Sequence, residues 1–125
     1  GAAVFTDIAQ GAPLLQEEIF GPVLTLQSFR TDEEAVTLAN STAFGLSAAV
    51  FCTEINRIMQ LSREIRAGTI WVNTYNRFYP ETEVGGYGAS GIGRMAGDIG
   101  LREFTQTKHI NLDFTPGTTP VGRVG

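Results

Sequence analysis

Residues 23–29 (VLTLQSF) form a nearly continuous run of apolar and β-forming positions, the pattern of a strand covered on both faces in a parallel sheet. Directly after it, Thr31-Asp32-Glu33-Glu34 sets a hydroxyl at a cap position with a glutamate three residues on. Such a capping box predicts a helix start, and Ala35, Val36, Leu38 and Ala39 fall on one side of the helix that follows. That helix is expected to end between Asn40 and Gly45. Residues 46–51 (LSAAVF) read as a second short buried strand. Thr53 then caps a helix in which Ile55, Ile58, Met59, Ser62 and Ile65 recur at helical spacing. Gly68 closes this helix, and residues 69–72 (TIWV) make a third strand. Strand, helix, strand, helix, strand with short connections predicts an α/β fold containing a right-handed, parallel βαβαβ layer.

Beyond Asn73 the pattern changes. Residues 75–80 are aromatic and irregular, and residues 85–97 contain six glycines in thirteen positions, so this region reads as loop shaped by backbone needs. A short helix is expected over 94–104. Residues 107–114 (TKHINLDF) alternate like a strand with one face covered, and 115–125 reads as a disordered tail. Three strands and two helices cover only part of a sheet, and the final strand has no obvious partner nearby in sequence. The pattern is that of part of something larger.

Composition narrows the function classes. The chain has 125 residues, 42 % of them apolar, enough for a real core. A net charge of −4 with nine scattered basic residues offers no footprint for nucleic acid or an anionic membrane. No apolar run approaches the roughly 20 residues that span a bilayer, and no signal-peptide layout opens the chain, which leaves a cytoplasmic protein as the expectation. One cysteine, Cys52, excludes an internal disulfide, and one histidine, His109, leaves no Cys/His cluster for zinc.

Residues 17–23 (EEIFGPV), 40–46 (NSTAFGL), 68–73 (GTIWVN) and 85–94 (GGYGASGIGR), in this order and spacing, resemble the motifs at the carboxyl-terminal end of NAD(P)-dependent aldehyde dehydrogenases. The resemblance runs from about Ala3 to Phe114. It implies that residues 1–104 are the C-terminal part of a catalytic domain and 105–114 an oligomerisation strand. It also implies that the family's nucleophilic cysteine, general-base glutamate and dinucleotide-binding domain lie in motifs that this chain lacks. No catalytic residue is therefore assigned here, and the chain alone is expected to be inactive and to hold no NAD or NADP by itself.

By the same resemblance, Glu18 accepts hydrogen bonds from the nicotinamide ribose hydroxyls and Phe20 packs near the ring. A carboxylate suits a vicinal diol, because its two oxygens make charge-assisted bonds. Glu17, its neighbour on an extended segment, points the other way and reads as solvated. Phe78 and Val84 match positions that line the aldehyde tunnel, Val84 being smaller than the aromatic residue of many relatives. Met95 and Gly88 also depart from the glutamate and lysine common there. Residues 107–114 match a strand that extends a neighbouring subunit's sheet, which implies a homo-oligomer.

Other candidates have plainer readings. Cys52 follows a buried run and reads as structural. Residues 86–91 form a G-x-G-x-x-G match, but a dinucleotide fingerprint needs a strand before it and a helix opening within it; a backbone scaffold at the tunnel mouth fits better. Asn73 suits bonding a loop's backbone, Trp71 reads as core, and His109 as a surface or interface residue. Two functions of different class follow: a portion of an aldehyde dehydrogenase, or a stand-alone, non-catalytic association module derived from that family.

Overall fold

The computed structural model describes residues 1–117. In chain order its elements are β1 (Ala3–Phe5), α1 (Pro13–Gln16), β2 (Val23–Thr25), α2 (Asp32–Ala39), β3 (Phe44–Gly45), β4 (Ser47–Val50), α3 (Ile55–Glu64), β5 (Thr69–Val72), β6 (Tyr87–Gly88) and α4 (Gly97–Arg102). Thr31 caps α2 as its sequence predicts, its Oγ1 accepting from the Glu34 N–H at 3.2 Å. The reciprocal half of the box is shifted by one residue, since the Glu34 carboxylate accepts from the Arg30 N–H at 2.7 Å. α3 starts without the expected Thr53 cap. Glu54 is the cap residue and makes no side-chain bond, while the Cys52 Sγ accepts from the Glu54 N–H at 3.4 Å.

The best-formed unit is β4-α3-β5, in which β4 and β5 pair in parallel from Ser47 opposite Thr69 to Val50 opposite Val72. Val50, Ile58, Ala67 and Trp71 are its buried apolar residues. The Trp71 ring meets Tyr75 and Phe78 edge-on at 5.1 and 5.3 Å, and its Nε1 donates to the Arg77 carbonyl at 2.8 Å. Trp71 is therefore core, as its sequence context predicts. The apolar stripe of α3 is only half covered, because Ile58 is buried while Ile55 is 66 % exposed.

The continuous βαβαβ layer does not form. β2 pairs in parallel with β1, from Ala3 opposite Val23 to Phe5 opposite Thr25. β3 pairs antiparallel with β6, which leaves three separate two-stranded ladders among the described residues. The cause is a non-local partner: β2 pairs with a three-residue strand far upstream, in a stretch without a periodic signal. That partner also sets its length, so β2 stops at Thr25, with one further bond from the Leu26 N–H to the Phe5 carbonyl at 2.8 Å.

α4 is shorter than the 94–104 helix expected, because Met95 is drawn into a bridge with Val84 and Ala96 and Gly97 both take positive φ. Residues 107–114 form no strand. Alternation marks which face a strand would bury, but the ladder itself needs an adjacent edge, and none of the described ladders pairs with this segment. Most of the predicted tail, from 118 onward, lies outside the described residues. Among the described residues no helix is long and apolar enough to cross a membrane.

Candidate functional site

The glycine-rich loop shows how the sequence brings distant elements together. A Cβ on Gly68 would collide with the Gly85 carbonyl, and one on Gly86 would lie 2.6 Å from Ser90. Only glycine permits these backbone approaches. Ser90 then accepts from the Gly45 N–H at 3.0 Å. Arg94 donates from Nη1 to the Gly86 and Gly93 carbonyls at 3.0 and 2.8 Å and lies over the Tyr87 ring at 5.3 Å. No helix opens between residues 86 and 91.

This loop and the segment before it line an open apolar groove of about 410 Å³, to which Phe78 and Val84 both contribute, with Tyr79, Pro80, Thr82, Met95 and Ala96. Val84 and Met95 face each other across an antiparallel bridge. The Val84 N–H donates to the Met95 carbonyl at 2.9 Å, and the Met95 N–H donates back at 2.7 Å.

A second cavity, of about 510 Å³, lies among the ends of α2 and α3, the start of β4 and the loop at Ser90, with Glu18 on its wall. Glu18 and Phe20 sit on the connection between α1 and β2. The Glu17 N–H closes α1 by donating to the Pro13 carbonyl at 2.8 Å. Phe20 takes φ 50°, and the residue is 93 % exposed and stands outside the wall of that cavity. The structure therefore brings Phe78 and Val84 together but sets Glu18 at a different cavity and Phe20 at neither.

Asn73 clasps the opposite end of the β4-β5 ladder. Its Oδ1 accepts from the Cys52 N–H at 2.9 Å and its Nδ2 donates to the Cys52 carbonyl at 2.8 Å, the backbone-bonding role read from the sequence. Asn40 does the same between helices, accepting from the Arg66 N–H at 2.7 Å and donating to the Glu64 carbonyl at 2.9 Å. Arg57 grips Asp32 with a contact of 2.6 Å from Nη2 to Oδ1, joining α3 to α2. That guanidinium holds the Asp32 carboxyl below its ordinary range. The Glu33 carboxyl is also lowered, first by its own backbone N–H and then by the Thr31 hydroxyl. Among the described residues no group of three or more His, Cys, Asp or Glu side chains could hold a metal ion.

The aldehyde dehydrogenase family model matches residues 1–110. This chain belongs to the aldehyde dehydrogenase family. It is 38 % identical over 113 residues to a betaine aldehyde dehydrogenase of Bacillus subtilis, covering 90 % of this chain and 23 % of that protein. It is 42 % identical over 109 residues to a mitochondrial aldehyde dehydrogenase of Homo sapiens, covering 87 % of this chain and 21 % of that one. Among solved structures, a Staphylococcus aureus betaine aldehyde dehydrogenase in complex with NAD+ superposes with a TM-score of 0.82 at 36 % identity, over 93 % of this chain and 24 % of that chain. This chain thus spans less than a quarter of the length of the relatives it matches.

Several residues that shape this region carry little signal in the sequence. In sequence Met95 shows only as a departure from the family pattern, yet it stands on the apolar wall beside Val84. Ser90 and Arg94 lie within the 85–94 motif, but their partners are backbone groups brought close by folding, which no local spacing reveals. The Asp32–Arg57 pair had a weak signal, each residue being near the start of its helix.

Proposed function

We propose that this chain is a portion of an NAD(P)-dependent aldehyde dehydrogenase, an enzyme that oxidises an aldehyde to a carboxylic acid. In that enzyme it orients the nicotinamide ribose, walls the aldehyde tunnel and supplies an assembly segment. The observation that carries this reading is the convergence of Phe78 and Val84 on one apolar groove of about 410 Å³, in a chain whose family is established. Glu18 fits a ribose diol, since its exposed carboxylate has two acceptor oxygens suited to charge-assisted bonds. Phe20 offers an open ring face two residues on. When bound, the oxidised nicotinamide supplies the hydride acceptor. The residues of this chain only hold and orient it, and either NAD or NADP meets that requirement.

The surface supports a role within a larger assembly. The chain exposes 10466 Å², where a compact protein of its 13.5 kDa would expose about 6,500 Å². The excess, about 4,000 Å², is far above the ~800 Å² that each partner buries in a standard interface. Residues 107–114, which form no strand within the chain, are proposed to extend a sheet of a neighbouring subunit in a cytoplasmic homo-oligomer.

Cys52 is tied to the start of α3 through the Glu54 N–H and is assigned no part in catalysis. The purified chain, given NAD+ and a panel of aldehydes, is therefore expected to form no NADH. Grafted in place of the matching segment of the Bacillus subtilis relative, it is expected to sustain aldehyde-dependent NADH formation. Turnover by the lone chain that survives Cys52→Ala would overturn the first expectation. A graft that assembles but neither binds NAD+ nor turns over would favour a non-catalytic association module instead.

A further inference from the structure

We infer that Trp71 is a positioning residue for the candidate aldehyde site: its indole holds residues 74–78 against the β4-β5 ladder and thereby sets where Phe78 stands. The inference rests on the reading of the chain as part of an aldehyde dehydrogenase. It adds a residue that acts on that site through Phe78 without lining the groove itself.

Residues 74–78 follow β5 through Asn73 and belong to no helix or strand. Among the described residues they make no backbone–backbone hydrogen bond. Their one hydrogen bond comes from Trp71, whose Nε1 donates to the carbonyl of Arg77, directly before Phe78, at 2.8 Å. The same indole meets the Tyr75 ring at 5.1 Å with an interplanar angle of 69°, and the Phe78 ring at 5.3 Å with an angle of 85°, the edge-on arrangement that aromatic pairs favour. The anchor of this cluster is the strand residue: Trp71 is buried and pairs opposite Ala49 in the ladder, whereas Tyr75 and Phe78 are 67 and 56 % exposed. A segment without ladder bonds opens at little cost, so one indole decides how it lies. Phenylalanine at position 71 would keep a ring but lose the donor, leaving the Arg77 carbonyl to water.

Trypsin cuts the Arg77–Phe78 bond, and the carbonyl that Trp71 holds is the one it attacks. Timed digests read by mass spectrometry compare this cut with that at Arg30–Thr31, in the connection between β2 and α2. Where reclosing outpaces cleavage, the rate follows the open population. Loss of one hydrogen bond should therefore make the Arg77 cut about two- to tenfold faster in Trp71→Phe, with the Arg30 cut unchanged. Should Trp71→Phe not fold, Tyr75→Ala, which takes one ring from the cluster, replaces it with a similar acceleration of the Arg77 cut alone, about two- to tenfold. In the grafted Bacillus subtilis enzyme, Trp71→Phe should raise the aldehyde KM by about two- to tenfold while the NAD+ dissociation constant stays within about twofold, because Glu18 stands at the other cavity. An Arg77 cut no faster than the parent's, both cuts faster to the same degree, or KM and the NAD+ dissociation constant rising together would overturn the proposal. The digests need neither NAD+ nor turnover, so an unsubstituted graft without dehydrogenase activity would sink the proposed function and leave the result on Trp71 standing.

Discussion

Replacing Asn73 tests how firmly one amide holds the end of the β4-β5 ladder. Its side chain accepts from and donates to the backbone of Cys52 at 2.9 and 2.8 Å, and its own backbone is left-handed, with φ 51°. Each hydrogen bond is worth about 0.5–1.5 kcal/mol net, toward the lower end because the site is exposed. The pair together contributes about 1–2 kcal/mol. Alanine in a left-handed conformation costs about 1 kcal/mol more than asparagine or glycine. Asn73→Ala should therefore destabilise by about 2–3 kcal/mol and Asn73→Gly by about 1–2 kcal/mol. Asn73→Asp keeps the bond from the Cys52 N–H but sets a carboxylate against the Cys52 carbonyl, and should be no better than Asn73→Gly. Urea denaturation followed by Trp71 fluorescence reads all three, with the slope checked for constancy. Alanine and glycine variants both within about 0.5 kcal/mol of the parent would refute the clasp. Equal losses for the two would refute the conformational part of the reasoning.

Gly68→Ala should cost about 2–3 kcal/mol or more by the same assay, since its methyl would meet the Gly85 carbonyl, backbone that cannot turn aside; an unchanged midpoint would show that β5 and the glycine loop do not approach as described. The Asp32 carboxyl is held below its ordinary value of 3.8 by Arg57, so its contribution is fully present above that value and fades as pH falls through the lower folded-state value. The stability difference between the parent and Asp32→Asn should therefore be constant from neutral pH to about 5 and shrink below about 4, as denaturation curves across that range would show.

Much of the fold could be read from local pattern, and what escaped has a common cause. The Thr31 cap, α2, the β4-α3-β5 unit and the Trp71 core depend on residues close in sequence or on buried runs with an evident period. β1 and α1 are too short to carry a period, with only Pro13 at the first helical position as a signal. The β3-β6 ladder joins two residues to two others far along the chain. At the candidate site, motif resemblance nominates Glu18, Phe20, Phe78 and Val84, whereas Met95 is visible only through its bridge to Val84. Residues 107–114 carry a strand's alternation and still form none, because pattern states what a strand would bury and not whether an edge is there to receive it.

The most direct test concerns Glu18 within the grafted Bacillus subtilis enzyme, where NAD+ affinity and steady-state NADH formation can be measured on one preparation. If this carboxylate orients the nicotinamide ribose, Glu18→Gln should weaken NAD+ binding or slow NADH formation by about tenfold, the loss expected for charge-assisted hydrogen bonds. Glu18→Ala should lose more. A folded, assembled Glu18→Ala enzyme with NAD+ affinity and turnover equal to those of the unsubstituted graft would contradict the account.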